Sequence, residues 1–453
     1  MPVMSRFRAL AFASPLSALV FLGGCSWFTA EGDTRAATVQ TANARHLVVG
    51  DEPFAVRTAA TVLSQGGSAV DAAASMFFAL SATYPVAAGL GGGGICIVRD
   101  SAGGLTEFDF LPRAANRGGA YAVPAAVRGF FEMQRRFGAL PWQRAVSGAE
   151  ALADAGFPIS EQLAARLAGS EGVIRLDAAL AAQFLDESGQ LKRAGTLVSN
   201  PALARTLSIV RQEGADGFAA RIGPRITAYA MAQGGTIGAD DLAAVQVRQV
   251  APTRRALGPL TIAYPAGGTG AGAFAGALLT RIGGNAANAT ANALAAVRQA
   301  LTGFNVASIP ADFGSTGFAV LDNQGGAVSC AVTLNGPFGA GRTVTDSGMQ
   351  LAAAPSGPSG LASAFLMPVV AAGGGNTFLG VAAGGPNGSA ALSAALVRMA
   401  GGARLSLPTD MQTTGAAPKD TINVIACQDA CVALPDPGAF GLGSAGDRPV
   451  LSP

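Results

Sequence analysis

The segment that decides the fold runs from residue 315 to residue 339 and reads STGFAVLDNQGGAVSCAVTLNGPFG. A hydroxyl residue, Ser315, opens an apolar run that ends at Asp322, and a second apolar run returns to Thr333 and Asn335. The Asn-Gln-Gly-Gly segment between the two runs is typical of the tight turn in an antiparallel hairpin. We therefore expect two paired strands with a hydroxyl residue at their open end.

The hydroxyl at this open end is a candidate nucleophile. A hydroxyl group needs a base beside it, and most enzymes use histidine. The chain contains one histidine, His46, which lies far upstream in a polar stretch and does not favour a Ser-His-Asp triad. If the peptide bond before Ser315 is cut, the new α-amine, with a pKa of about 7.7–8.0, can serve as the base near neutral pH. This is the chemistry of an N-terminal-nucleophile hydrolase; the alternative is an ordinary hairpin without a catalytic role.

Composition describes a folded protein with no strong charge bias. Of 453 residues, 13% are charged and half are hydrophobic, which is typical of a globular chain and not of a disordered one. The formal charge of +2 falls to zero when the first 25 residues, which carry two arginines and no acidic residue, are left out. A strongly basic surface is therefore not expected, and nothing favours a nucleic-acid partner.

The first 25 residues have the pattern of a secretory signal. Arg6 and Arg8 precede an apolar run over residues 9–22 that is too short for a membrane span. The run ends in Leu22-Gly23-Gly24-Cys25, which resembles the lipobox of bacterial lipoproteins and implies a lipid anchor on Cys25. The alternative is a plain signal peptide with an incidental cysteine. Residues 26–47 are polar and small, as expected of a tether.

The remaining cysteines can pair in an exported protein. Cys427 and Cys431 are four residues apart, and we expect them to close a small disulfide loop. Cys96 and Cys330 each lie in an apolar run, and we expect buried thiols there. The ligand spacing of a zinc site is missing, and the glycine run 89–94 precedes a strand instead of following one, so no metal or other cofactor is predicted.

Helical patterns dominate the first half of the chain and strand patterns the second. Apolar residues at helical spacing over 56–63 end at Gly66, and Ser68 to Asp71 has the sequence of a capping box, which predicts a helical hairpin. Five further helices are predicted over residues 125–137, 143–155, 160–167, 201–213 and 217–232. From residue 260 onward strand-like runs prevail, with one helix over residues 291–301.

Several segments, in order, resemble the γ-glutamyltransferase family. They are residues 65–73, 89–94, 122–124, 137–142, 156–160, 213–218 and 234–237, and the likeness runs from about residue 48 to 282 and from 312 to 440. The resemblance implies the α+β class and a four-layer αββα sandwich of the N-terminal-nucleophile hydrolase type. It also implies that residues 48–311 correspond to a large subunit and residues 312–453 to a small subunit, both within one domain.

The resemblance further assigns roles to individual residues. Ser315 stands where the family has its nucleophilic threonine, and Thr333 and Asn335 stand where the family supports the nucleophile and contacts the substrate amine. Gly384 to Ser389 resembles the family's Gly-Ser-Pro-Gly-Gly-Ser loop. There, Asn387 and Gly388 stand where backbone N–H groups stabilise an oxyanion.

Other positions depart from the family pattern. The arginine that binds the substrate α-carboxylate is replaced by Leu111, so that only a two-residue shift lets Arg113 take its place. Gly317 replaces a histidine. Three longer segments also differ, namely residues 283–311, 352–357 and 364–368. Because a zwitterionic amino-acid head is costly to bury without charged partners, we expect an amide substrate other than glutathione.

Three hypotheses about function remain open. In the first, the chain cuts itself before Ser315 and acts on a γ-glutamyl or related amide, in a small molecule or a peptide. In the second, it is a catalytically inactive lipoprotein that retains the scaffold as a binding or structural module. In the third, the cut falls one residue later and Thr316 is the nucleophile.

Overall fold

Two seven-stranded antiparallel sheets stacked face to face form the centre of the protein. The structure is a computed structural model that describes residues 39–41, 46–282, 286–304, 309, 312–355, 361–405 and 420–445. Strands and helices are numbered in chain order. Helices cover the outer face of each sheet, so the order of layers is α, β, β, α.

Each sheet combines strands from distant parts of the chain. In spatial order, the first sheet contains β18 (Leu442–Ala445), β2 (Leu47–Gly50), β12 (Ser315–Leu321), β13 (Ala327–Thr333), β3 (Gly93–Arg99), β4 (Leu105–Phe110) and β9 (Arg248–Val250). In the same order, the second sheet contains β1 (Val39–Thr41), β17 (Cys431–Leu434), β16 (Thr421–Cys427), β15 (Asn376–Ala383), β14 (Met367–Gly373), β11 (Leu260–Tyr264) and β10 (Thr253–Leu257). Two short ladders join β5 (Arg113–Ala114) to β6 (Ala122–Val123) and β7 (Phe157–Pro158) to β8 (Leu197–Val198).

Most of the helices come from the segment between β6 and β9. The helices are α1 (Pro53–Ser64), α2 (Ala69–Thr83), α3 (Ala126–Phe137), α4 (Trp142–Ala155), α5 (Glu161–Gly169), α6 (Glu171–Arg175), α7 (Ala178–Phe184), α8 (Pro201–Arg221), α9 (Gly223–Ala232), α10 (Ala239–Ala243), α11 (Gly270–Arg281), α12 (Ala289–Leu301), α13 (Leu361–Ala364) and α14 (Pro386–Ala400). Short 3-10 turns lie at Ala286–Asn288 and Thr302–Phe304.

Alternation along the strands produces the layers. In β12, Phe318 and Val320 pack into the core shared with the first set of helices, whereas Ala319 packs between the two sheets. Successive side chains of a strand point to opposite faces, so each strand of the first sheet contributes to two cores. On the far side, α11, α12 and α14 cover the second sheet. The predicted four-layer αββα sandwich is confirmed.

The local signals of the predicted helical hairpin are present in the structure. Gly66 has a φ of +87° after α1, and the Ser68 hydroxyl accepts the N–H of Asp71 while the Asp71 carboxylate accepts the N–H of Ser68. The same aspartate also accepts the N–H groups of Ala139 and Leu140, so it fixes the start of α4 against α2. One capping residue thereby connects the start of α2 to the loop before α4.

Two features differ from the expectations drawn from the sequence. Within the expected tether over residues 26–47, Val39–Thr41 forms β1 and pairs with β17, and Leu47 already belongs to β2. Cys96 and Cys330 are joined in a disulfide and are not thiols. They lie directly opposite each other on β3 and β13 with their Cα atoms 4.1 Å apart, a register that the sequence does not disclose.

Candidate active site

Ser315 is the first residue of β12 and lies at the open end of the predicted hairpin. It pairs with Thr333 at the end of β13, and the turn at Asp322 closes the far end. Strand alternation places Ser315 on the same face as Gly317 and Ala319, which is the face toward the second sheet. The Ser315 hydroxyl is buried and has no hydrogen-bond partner among the residues that the structure describes.

The carbonyl that precedes Ser315 belongs to Gly314 and is held by two neighbours. The N–H of Leu334 donates to it at 2.9 Å, and the Thr333 hydroxyl lies 3.3 Å from it. The single proton of that hydroxyl is shared with the carbonyl of Phe313 at 3.2 Å. Donors at a carbonyl oxygen stabilise the negative charge that develops there when a nucleophile attacks the carbon. The arrangement is therefore suited to an attack on the Gly314–Ser315 peptide bond.

Gly314 itself has a conformation that requires glycine. Its φ is +56°, in the left-handed region, and a Cβ atom built on it would overlap the carbonyl oxygen of Gly336. Its N–H donates to the Asp312 carboxylate at 2.7 Å. Both polar groups of Gly314 are thus hydrogen-bonded, which fixes the orientation of the peptide unit that precedes the nucleophile.

Asn335 supports this arrangement mainly through its backbone. Its N–H donates to the Thr333 hydroxyl at 2.8 Å, which leaves that hydroxyl free to donate its own proton toward the Gly314 carbonyl. The side-chain amide of Asn335 donates to the carbonyl of Ala353 at 2.9 Å. In this uncut chain, therefore, the Asn335 amide nitrogen is bound within the protein, and the expected contact with a substrate amine stays a prediction.

Thr316 lies in a different environment from Ser315. Its hydroxyl donates at 2.5 Å to Asp51, a buried carboxylate that follows β2. Asp51 also accepts the Thr421 hydroxyl at 3.0 Å and the Asn423 amide at 2.7 Å, and both of these residues lie on β16. Burial raises the pKa of Asp51, and the three hydrogen bonds oppose that rise. The cluster joins the two sheets directly beside the candidate nucleophile.

The start of α14 lies at the same end of the sandwich, but its N–H groups are occupied. Asp420, which precedes β16, accepts the N–H of Gly388 at 2.7 Å and the N–H of Asn387 at 3.0 Å. The oxyanion role expected for Asn387 and Gly388 stays a prediction, because in this uncut chain the Asp420 carboxylate accepts both N–H groups. Its neighbour Thr421 shares Asp51 with Thr316, which connects the start of α14 to the Ser315 end of β12.

A third carboxylate stands near this group. Asp436 accepts the N–H groups of Ile422 and Gly438, at 3.0 Å and 2.7 Å. Burial, with smaller contributions from the negative charges of Asp51 and Asp420, raises the pKa of Asp436 to about 7. The end of the sandwich near α14 therefore holds three carboxyl groups close together, and burial favours the neutral form of Asp51 and Asp436.

Arg113 lies at the rim of the site. Its guanidinium donates to Asp109 at 2.8 Å, and its side chain remains 61% exposed. Ser315, Thr333 and Gly93 lie opposite one another across three strands, and β4 is the next strand in the sheet. With about 4.8 Å between strands, the end of β4 lies about 14 Å from Ser315. The exposed face of the Arg113 guanidinium is thus available to a group bound at this rim.

The other predicted cysteine sites fall in different parts of the protein. The structure joins Cys427 and Cys431 in a disulfide across the turn between β16 and β17. Cys25 lies outside the described residues. Across the described ranges, no helix is long and apolar enough to cross a membrane, and no three or more His, Cys, Asp or Glu side chains are grouped so that they could hold a metal ion.

Comparison with known proteins places the chain in a family. The sequence profile of gamma-glutamyltranspeptidase matches residues 55–281, which is half of the chain. The chain belongs to the gamma-glutamyltranspeptidase family. The matched region contains most of α1, all of α2 to α11 and β3 to β11, and it ends before the strand that carries Ser315.

Curated proteins are similar over a little less than half of the chain. The chain is 31% identical over 230 residues to the glutathione hydrolase proenzyme of Escherichia coli K12, covering 46% of this chain and 39% of that protein. It is 29% identical over 238 residues to the acylase ACY 1 proenzyme of Pseudomonas sp. SE83, covering 46% and 42%. The alignments therefore span about two fifths of the length of these relatives.

Solved structures extend the likeness to almost the whole chain at the level of fold. Cephalosporin acylase from Bacillus halodurans superposes with a TM-score of 0.72 at 15% identity, covering 94% of this chain and 100% of that one. Gamma-glutamyltranspeptidase from Helicobacter pylori gives a TM-score of 0.51 at 23% identity, covering 60% and 84%. The fold of this family member thus includes the second half, which the family profile does not match.

The structure also brings to the site residues that sequence analysis missed. Asp51 and Asp420 belong to no recognised local motif in the sequence. Arg166 forms an ion pair with Asp312 across 146 residues. Each of these contacts depends on long-range packing, so no local pattern of residues indicates them.

Proposed function

We propose that this protein is an N-terminal-nucleophile hydrolase or transferase that cuts its own chain between Gly314 and Ser315. After the cut, Ser315 attacks a γ-glutamyl or related amide in a small molecule or peptide. The observation that carries the proposal is the arrangement around one peptide bond. The Gly314 carbonyl accepts from Leu334 and faces the Thr333 hydroxyl, and the adjacent Ser315 hydroxyl is buried without a partner among the described residues.

The proposed cut has two steps. The Ser315 oxygen attacks the Gly314 carbonyl carbon, the bond from that carbon to the Ser315 nitrogen breaks, and the hydroxyl proton passes to the departing nitrogen. An ester then links Gly314 to the Ser315 oxygen. Water hydrolyses this ester, which leaves a carboxylate on Gly314 and restores the Ser315 hydroxyl beside a free α-amine. Leu334 and Thr333 stabilise the oxyanion in both steps.

In the proposed second reaction, the freed α-amine of Ser315 is the general base. It accepts the hydroxyl proton as the oxygen attacks the substrate carbonyl, and it returns a proton to the leaving amine. Water or an acceptor amine then takes the acyl group from the ester. The exposed side of the Arg113 guanidinium, on the rim formed by β4 and β5, is the proposed partner for a carboxylate of the substrate.

We also propose export and anchoring through a lipid on Cys25. The supporting observations are the arginine-led apolar segment that ends at Cys25 and the two disulfides among the described residues, which suit an oxidising compartment. Mass spectrometry of the mature N-terminus tests this proposal directly. An unlipidated N-terminus at a residue other than 25 would refute it.

The self-cut is tested by intact mass spectrometry and N-terminal sequencing of the wild type and Ser315→Ala. Because Cys96 and Cys330 lie on either side of the cut, the disulfide keeps the fragments joined, and the sample must be reduced first. We expect fragments ending at Gly314 and beginning at Ser315 in the wild type, and an intact chain in Ser315→Ala. A fragment beginning at Thr316 would favour the alternative nucleophile. A wild-type chain that stays intact would refute the proposal.

The alternative of an inactive binding module has one observation in its favour, the occupation of the α14 amides by Asp420. The acylase and hydrolase relatives do not favour it. It predicts an intact chain and no release of p-nitroaniline from γ-glutamyl-p-nitroanilide by the wild type. Either a fragment beginning at Ser315 or a turnover abolished by Ser315→Ala would contradict it.

A further inference from the structure

A buried ion pair involves Asp312, three residues before the candidate nucleophile Ser315. Arg166, on α5, has a side chain that is 1% exposed, and its guanidinium lies 2.9 Å from the Asp312 carboxylate. The guanidinium also packs over the ring of Tyr84 on the C-terminal side of α2, 5.6 Å from its centroid. Neighbouring Gln162 donates to the Tyr84 hydroxyl at 2.8 Å. The packing against Tyr84 therefore holds the Arg166 guanidinium in the position from which it reaches Asp312.

The other end of this contact reaches the peptide bond that the proposed reaction cuts. The same Asp312 oxygen, Oδ1, that accepts from Arg166 also accepts the N–H of Gly314 at 2.7 Å. The carbonyl of Gly314 is held by Leu334 on the opposite side of the residue. Arg166 thereby connects α5 to the residue whose carbonyl carbon is attacked, through one carboxylate oxygen.

The charge of Arg166 is needed for this connection. A buried carboxylate without a partner is costly, and it relaxes toward solvent or toward another donor when its counterion is removed. Asp312 is 17% exposed at its side chain, so it has a route to water. Without Arg166, the carboxylate would turn outward and release the N–H of Gly314, and the left-handed conformation of Gly314 would lose one of its two restraints.

We propose that Arg166 is a positioning residue for the self-cut and acts through Asp312 on the orientation of the Gly314 carbonyl. Neither side chain touches the reacting atoms, and no bond to either one forms or breaks. This inference rests on the proposed cut between Gly314 and Ser315. A displacement of about 1 Å in the geometry of attack slows a reaction about 100-fold, so the expected effect is on the rate of cutting.

The test compares rates of cutting in full-length chains. Wild type, Arg166→Met and Asp312→Asn are produced by timed translation, and the fragment beginning at Ser315 is followed by mass spectrometry after reduction. We expect Arg166→Met to be cut about 100-fold more slowly than wild type. Asp312→Asn, which keeps an acceptor for Gly314 but loses the ion pair, should be slowed about tenfold. The matched control is Arg175→Met, which removes an exposed arginine paired with Glu171 on α6, and its rate should equal that of wild type.

A second readout separates positioning from general damage. Hydroxylamine cleaves an ester and so accelerates any chain in which the ester has already formed. It should not restore cutting in Arg166→Met, because the slow step there is the initial attack. Restoration by hydroxylamine would overturn the inference, since it would place the defect in ester hydrolysis. After the slow cut is complete, turnover of γ-glutamyl-p-nitroanilide per cut molecule should equal that of wild type.

The outcomes distinguish this inference from the proposed function. Cutting of Arg166→Met and Asp312→Asn at the wild-type rate would overturn the inference and leave the self-cut standing. An intact wild type would overturn both. If Arg166→Met does not unfold cooperatively in urea, the rate of Asp312→Asn decides alone, because that substitution preserves side-chain shape: slow cutting supports the inference, and the wild-type rate overturns it.

Discussion

Replacing Asp420 with serine should increase the turnover of amide substrates. The Asp420 carboxylate accepts the N–H groups of Asn387 and Gly388. These are the first two N–H groups of α14, because the helix begins at Pro386, which has none. Amides at a helix N-terminus can stabilise an oxyanion, but not while a carboxylate occupies them. In Asp420→Ser the negative charge is gone and the shorter side chain leaves room for a substrate oxygen.

Asp420→Ser should lower the stability of the protein and raise its turnover, and the two effects can be measured separately. Asp420 acts as a cap for α14 supplied from a distant strand, so its loss should lower the free energy of unfolding by about 1–2 kcal/mol. A single oxyanion donor is worth about 100- to 1000-fold in turnover. If the two amides become available to the substrate, kcat should therefore rise by about 100-fold although the protein becomes less stable.

The assay is the release of p-nitroaniline from γ-glutamyl-p-nitroanilide by protein whose cut at Ser315 has been verified by mass. Urea unfolding of the same samples gives the change in stability. The matched control is Asp429→Ser, which removes an exposed carboxylate paired with Arg404 at the other end of β16. We expect this control to match wild type in both measurements. The reasoning is refuted if Asp420→Ser is cut normally and turns over substrate no faster than wild type.

Three further predictions concern stability and processing. Burial raises the pKa of Glu52 from 4.5 to about 7, so the folded state binds the proton more tightly than the unfolded state. The free energy of unfolding should therefore fall by up to about 3 kcal/mol as pH rises from about 4.5 to above 7. Urea unfolding at several pH values should show a smaller fall in Glu52→Gln. Gly314→Ala should abolish the cut, seen as an intact mass, and destabilise the protein by about 1–3 kcal/mol because φ is +56° and Gly336 blocks a Cβ atom. The Cys96–Cys330 disulfide spans the proposed cut, so wild type should run as one band without reductant and as two with it, whereas Cys330→Ala should give two bands in both conditions.

The elements that could be predicted from the sequence are those whose signals are local. The turn between Asp322 and Gly326, the capping box of Ser68 and Asp71 and the left-handed Gly66 each depend on residues within five positions of one another. Backbone preferences and short hydrogen bonds act over that distance whatever the rest of the chain does. The hairpin that presents Ser315 was predictable for this reason.

The contacts that define the site join residues that are far apart in the sequence. Pairing of Cys96 with Cys330 depends on the register between β3 and β13, and a shift by one residue would have turned one of them to the opposite face. Asp420 accepts N–H groups 32 and 33 residues away, because β15 and β16 lie side by side and bring the start of α14 next to the start of β16. Such contacts follow from tertiary packing, and a single sequence carries no periodic or compositional signal for them.

Ser315 and Thr316 are adjacent on β12 but lie on opposite faces of the strand, so their hydroxyl groups have different surroundings. The Thr316 hydroxyl is bound to Asp51, and Asp51 in turn accepts from two residues of β16, so this hydroxyl joins the two sheets and is not free to attack. The amide of Asn423, a member of the same cluster, also donates to the carbonyl of Gly317 at 2.9 Å and so fixes the backbone that follows. With Thr316 and Gly317 held in this way, the Ser315 hydroxyl lies next to a restrained carbonyl and has no partner among the described residues. A nucleophile needs an unengaged hydroxyl on a backbone that its neighbours hold in place. This arrangement favours Ser315 over Thr316.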